Sequence, residues 1–158
     1  MPRNVLFVKK HSDTRVTNAF KDAIHYLRKT YDDINIIVEE STAHELVPDF
    51  QDLISFRAEE KALLAEKTDF VIALGGDGSI LHVSSLFDQH AVPPVLSFSM
   101  GTLGFLLPYD VRAFPEAVND VFHSRFSLAL RKRLCMGLWD SRPEPVSYTH
   151  LTLPTSDL

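Results

Sequence analysis

The chain has 158 residues, 45% of them hydrophobic and 23% charged, with a formal net charge of −5 and a pI near 5.7. That length suits one domain able to bury roughly two thirds of its unfolded surface, and the acidity argues against non-specific nucleic-acid binding. No apolar run approaches the ~18 residues of a membrane span, and Cys135, the only cysteine, excludes an internal disulfide and fits a reducing compartment.

The opening residues, MPRNVLFVKKHSD, hold basic residues but no h-region and no cleavage site. No presequence is expected within them, which leaves open one encoded further upstream. Residues 5–8 are an apolar run with β-branched members, a buried-strand pattern closed by the turn cluster at 11–14. Val16, Ala19, Phe20, Ala23, Ile24, Leu27 and Tyr31 then step at three and four residues, the cleanest amphipathic helix of the chain. A second strand follows at 34–38. Strand, helix and strand with short connections make a βαβ unit, hence a parallel sheet with a right-handed crossover.

Residues 39–56 read as a variable connection with one short helix, and 57–67 (RAEEKALLAEK) as a helix-forming stretch with a solvated, charged face. Residues 70–74 are wholly apolar, as a strand buried on both faces of a parallel sheet should be. Gly75, Gly76, Asp77 and Gly78 interrupt it. Glycines there permit positive φ and leave no Cβ in the way of a ligand. Ser79 is read as the N-cap of a helix carrying Ile80, Val83, Leu86 and Phe87. A strand, a glycine turn and a helix start together aim backbone N–H groups at an anion, at the positive end of a helix dipole. Asp77 would repel a bare polyphosphate, so it needs another task. It could hold Mg²⁺, take the proton of a hydroxyl that attacks phosphorus, or simply cap the helix. His82 lies about one and a half helical turns further on, within reach of a phosphate or ribose, or else is a surface histidine.

Pro93 and Pro94 stop that helix, and residues 95–98 supply a fourth strand leading into a second glycine turn, Met100-Gly101-Thr102-Leu103-Gly104-Phe105. Two such turns would lie side by side at the carboxyl edge of the sheet, where open α/β folds bind ligands. A helix with Val111, Phe114, Val118, Val121 and Phe122 on one face comes next. Residues 124–138 then alternate as an edge or departing strand, in which Arg131-Lys132-Arg133 form a charged edge or face a phosphate. Cys135 is read as a small buried hydrophobe. Residues 146–158 (VSYTHLTLPTSDL) lack helical periodicity and an evident strand partner. They resemble the translation of a transposase adapter used in preparing sequencing libraries, and are set aside as a non-native tail.

The commonest nucleotide fingerprints, G-x-x-x-x-G-K-[ST] and G-x-G-x-x-G, are missing. So are H-E-x-x-H, any Cys/His cluster and G-x-S-x-G; no metal ligands are assigned. Taken together, LGGDGSILH at 74–82, PPVLSFSMGTLGFLLPYD at 93–110 and LRKRL at 130–134 resemble the ATP-dependent NAD kinase family. The wording is nearest its fungal, mitochondrial NADH kinase type, and the likeness spans residues 4–136. G-G-D-G-[ST] also occurs in diacylglycerol and sphingosine kinases and, in related form, in 6-phosphofructokinases. A lipid kinase should lack the GTLGFL turn.

The resemblance implies an α/β fold: an open, mostly parallel sheet with helices on both faces, of the NAD kinase/6-phosphofructokinase N-terminal type. Residues 1–140 would be this nucleotide-binding domain, truncated before a β-rich second domain. It further implies ATP with Mg²⁺, NAD(H) as substrate, no nucleic-acid or membrane partner, a homo-oligomeric parent, and a mitochondrial-matrix or cytoplasmic location. Gly75, Gly76, Asp77, Gly78 and Ser79 would form the turn that handles nucleotide phosphates. Asp77 would be the general base at the adenosine 2′-hydroxyl, and Gly78, His82 and Phe105 would line the dinucleotide site with Phe105 near the adenine. The family's Asn-Glu pair and its T-x-G-S-T-A-type segment are not in these residues, which implies about half a site and no activity from the 158 residues alone. The competing reading is a non-catalytic α/β module in which Asp77 only caps a helix.

Overall fold

A computed structural model describes residues 3–9, 13–87, 91–101, 104–138 and 147–152, with only the backbone for Cys135, Met136, Leu138 and residues 147–152. Six strands form one all-parallel sheet: β1 (Arg3–Lys9), β2 (Ile34–Glu39), β3 (Ile54–Phe56), β4 (Phe70–Gly75), β5 (Val95–Ser99) and the two-residue β6 (Tyr109–Asp110), in the order β3-β2-β1-β4-β5-β6. The expected open sheet is therefore present. The order reverses between β1 and β4, and that switch point is where doubly wound sheets open a crevice at their carboxyl edge.

Period-two alternation sends successive side chains to opposite faces. Val5 and Phe7 of β1, with Phe70, Ile72 and Leu74 of β4, pack under α1 (Thr14–Thr30), α2 (Glu40–Leu46) and α5 (Phe114–Phe122). Leu6, Val8, Val71 and Ala73 pack on the other side under α3 (Leu64–Lys67) and α4 (Asp77–Leu86). Burying each of these large side chains stabilises the fold by roughly 1.5–3 kcal/mol. Phe7 and Phe20 meet edge to face with centroids 4.5 Å apart. Helix α1 begins where Asp13 accepts the N–H of Arg15, the first step of a 17-residue amphipathic helix. The donated N–H and the neighbouring guanidinium hold the Asp13 carboxyl below the usual carboxylate range.

Several expectations need correction. Strands β3 and β6 fell in stretches read as connections; at three and two residues they are too short to carry a period. Residues 57–67 are not one helix but a 3-10 helix, Ala58–Leu63, running into the four-residue α3. Of the alternating segment 124–138 only β7 (Arg133–Leu138) is a strand. It pairs antiparallel with β8 (Ser147–Thr152), so part of the tail does have a strand partner. The inward role read for Cys135 concerns a side chain outside the described residues, as do Thr102, Leu103 and residues 139–146. Among the described residues no helix is long and apolar enough to cross a membrane.

Candidate functional site

The carboxyl ends of β2, β1, β4 and β5 stand next to one another, and they bring the predicted residues to one edge. Gly75 ends β4 with φ 145°, a conformation L side chains rarely adopt. Gly76, at φ −127°, is the N-cap of α4, and Asp77 is its first helical residue. Of the three glycines only Gly75 needs the positive φ. Gly76 and Gly78 serve differently: a Cβ on either would meet nothing within 4 Å. That is open space in front of the α4 N-terminus, which no side chain caps.

Ser79 is not the N-cap. It is 4% exposed, its Oγ donates to Leu74 O at 3.2 Å, and its N–H donates to Gly76 O at 2.9 Å. The hydroxyl thus fastens the helix start to the end of β4.

Asp77 does not cap its own helix either. Its Oδ2 accepts the backbone N–H of Phe105 at 3.0 Å and its Oδ1 that of Leu106 at 2.9 Å. The acid of the first glycine turn therefore grips the second. A further bond, Met100 N–H to Gly75 O at 3.1 Å, joins the two turns, which do lie side by side as β4 and β5 pair. Phe105 is 93% exposed, an aromatic ring standing free beside the crevice.

His82 sits on α4 with its Nε2 2.8 Å from Oε2 of Glu39, the last residue of β2. Since β1 lies between β2 and β4, this contact spans the carboxyl edge across β1. Sequence reasoning missed Glu39; its position at the end of a strand next to the central pair was the available signal. It also missed Lys9, the last residue of β1, which is 2% exposed. Lys9 Nζ lies 2.6 Å from Glu45 Oε2, an ion pair poorly aligned for a hydrogen bond, and Glu45 Oε1 accepts from Thr17 Oγ1 at 2.8 Å. This pair ties α2 to β1 and α1 behind the crevice. Arg133 donates to Ser84 O at 3.1 Å, so it fastens β7 to α4.

Among the described residues no group of three or more His, Cys, Asp or Glu could hold a metal ion. A cavity of about 630 Å³ lies between β5, α5 and residues 124–127, lined by Leu96, Tyr109, Ala117 and Phe126 among others. None of the predicted site residues lines it. The crevice at the switch point is the better candidate because it combines uncapped helix N–H groups, a carboxylate and an exposed aromatic ring.

Comparison with known proteins agrees with this fold. The mitochondrial NADH kinase of Schizosaccharomyces pombe is 44% identical over 133 residues, covering 84% of this chain and 33% of that protein. The mitochondrial NADH kinase of Saccharomyces cerevisiae is 34% identical over 140 residues, covering 84% and 34%. The crystal structure of yeast NADH kinase complexed with NADH superimposes with a TM-score of 0.83 at 32% identity, over 94% of this chain and 46% of the solved one. The chain thus spans about a third of the length of these curated relatives. The model of the ATP-NAD kinase N-terminal domain matches residues 5–126. With that match over most of its length, and with the switch-point crevice built from the matched residues, this chain belongs to the ATP-NAD kinase family.

Proposed function

We propose that the longer protein to which this chain corresponds transfers the γ-phosphoryl group of ATP to the adenosine 2′-hydroxyl of NAD(H), giving NADP(H). The observation that carries this reading is the placement of Asp77 at the N-terminus of α4, between the open space at Gly76 and Gly78 and the exposed Phe105. In this reaction the ribose oxygen forms the new bond to γ-phosphorus, the bond to the leaving ADP oxygen breaks, and Asp77 takes the hydroxyl proton. No covalent enzyme intermediate is required, only alignment of the two nucleotides and stabilisation of the transferring charge. Gly76 and Gly78 leave room for phosphate oxygens at the α4 N–H groups, with Gly75 supplying the turn's positive φ and Ser79 fixing it from behind. Phe105 offers its face to the adenine, and His82, oriented by Glu39, borders the dinucleotide. Mg²⁺ fits as a companion of the triphosphate, whose oxygens supply most of its ligands. It would neutralise charge on the phosphates.

The relatives' names support NADH as acceptor and a mitochondrial setting, and the family model supports NAD; a matrix or cytoplasmic location and a homo-oligomeric parent belong to the same proposal. Half a site predicts no turnover from the 158-residue chain alone. Residues 146–158 remain, in this reading, a non-native tail following native residues that end near 145; a genomic locus continuing through them unchanged would overturn that. The catalytic test uses the full-length protein with ATP, Mg²⁺ and either NAD⁺ or NADH. Asp77→Asn should lower turnover by about 10²–10⁴-fold while ATP still binds. Near-normal turnover would refute the base role, and no NADP(H) from the unmodified protein would refute the kinase reading.

A further inference from the structure

The geometry points to Asp77 and Gly104 as a matched pair that sets where Phe105 stands, so that Asp77 is a positioning residue for the second turn whatever proton it also takes. Both carboxylate oxygens are engaged, each by one backbone N–H of adjacent residues, Phe105 and Leu106. Bonds of this kind to an ionised acceptor are about twice as strong as neutral ones. Gly104 explains how the turn comes so close. A Cβ on Gly104 would overlap Oδ1, Cγ and Oδ2 of Asp77. Its φ is not in the left-handed region, unlike those of Gly75 and Gly101. The residue is therefore glycine for the sake of the approach, not of the backbone.

Among the described residues, what Asp77 holds has little else to hold it. The Phe105 ring is 93% exposed and so contributes no core packing. After it, Ser97 Oγ reaches Leu106 O only at 3.4 Å, and firm burial resumes at Leu107, 1% exposed. Asp77 comes from 28 residues earlier in the chain, at the start of α4. One carboxylate thus fixes the distance between a helix N-terminus and an exposed aromatic ring. On the kinase reading, adenine and ribose of one adenosine would span those two points. The pair would then act as a ruler that favours adenosine-bearing acceptors over smaller alcohols. That consequence rests on the proposed function; the brace itself does not.

The test reads the brace without nucleotide or turnover, by residue-resolved amide hydrogen exchange on the 158-residue chain. Asp77→Ala should speed exchange at the Phe105 and Leu106 amides by about tenfold or more, with the β4 and β5 amides as the control for an intact sheet. Gly104→Ala should do the same. In the double variant the overlap no longer exists, so exchange there should match Asp77→Ala within about twofold, a non-additive cycle. Unchanged protection in Asp77→Ala, or losses that simply add in the double variant, would overturn the proposal. Should Gly104→Ala fail to fold, Asp77→Asn decides: its side chain keeps one acceptor oxygen, so one of the two amides should lose protection, and protection kept at both overturns the pairing. In the full-length protein Gly104→Ala keeps the carboxyl group but pushes it off the second turn, so it should raise KM for NAD(H) about tenfold or more, together with a fall in kcat. An unaltered KM with normal turnover would reject the ruler, whereas absence of any wild-type turnover would reject only the kinase reading.

Discussion

The two glycine turns look alike in the sequence, yet they are held by different means. The first, at 75–79, is built into the fold. Gly75 closes a fully buried strand, and Ser79 is bonded back to Leu74 from inside the sheet. The second, around 100–106, leads into no helix and leans on the first, through Met100 to Gly75 and through Phe105 and Leu106 to Asp77. The lesson is that a glycine turn is rigid when its flanking elements are packed, and borrows its shape when they are not. Disturbing the first should therefore disturb both, and disturbing the second should leave the first intact.

The largest effect is expected at Gly75. Gly75→Ala forces a side chain onto φ 145° at a buried strand end and should lower stability by about 1–3 kcal/mol in denaturant unfolding. Gly101→Ala makes a similar backbone demand, φ 118°, at an exposed position. It should cost the fold less, and an equal or larger loss would break the comparison. Next comes Ser79→Ala. It removes one buried hydrogen bond and should lower stability by about 0.5–1.5 kcal/mol. Gly78→Ala sharpens the contrast because its two effects differ in sign. The helix should gain about 0.5–1 kcal/mol, since a Cβ there meets nothing, while on the proposed function nucleotide affinity should fall, the methyl group filling the space proposed for phosphate. Calorimetric melting beside an ATP titration would read both, and unchanged affinity would mean the open space is not the phosphate site. The smallest effect belongs to Leu130, 81% exposed on the segment after α5. Leu130→Ser should shift stability by no more than about 0.5 kcal/mol.

Much of this site was legible before any coordinates. Asp77, Gly78, His82 and Phe105 stand at one sheet edge because a strand, a glycine turn and a helix start can be recognised from residue types alone. The function read for Ser79 was legible only as a polar residue at a helix start. Whether its hydroxyl turned outward to the helix or inward to Leu74 depended on where the helix began, and Gly76 took the cap because its extended backbone follows directly from the strand end. Glu39 escaped notice because its place at a strand end acquires meaning only when the strand order sets it opposite His82. The alternating residues 126–132 misled in the opposite direction. Alternation describes a strand waiting for a neighbour, and the sheet offers none to Phe126, Leu128 or Leu130, which stay exposed.

By itself the sequence determined the local conformations: apolar runs for strands, three-and-four spacing for helices, glycines for turns, and with them a parallel α/β sheet. Local sterics and side-chain periodicity suffice for that much, because each depends on neighbours a few residues away. Which oxygen meets which amide was decided only by tertiary structure. The bond from Asp77 to Phe105 and Leu106, the room made by Gly104 and the pairing of His82 with Glu39 all join residues far apart in the chain. Their geometry exists only once the sheet has set its strands in order.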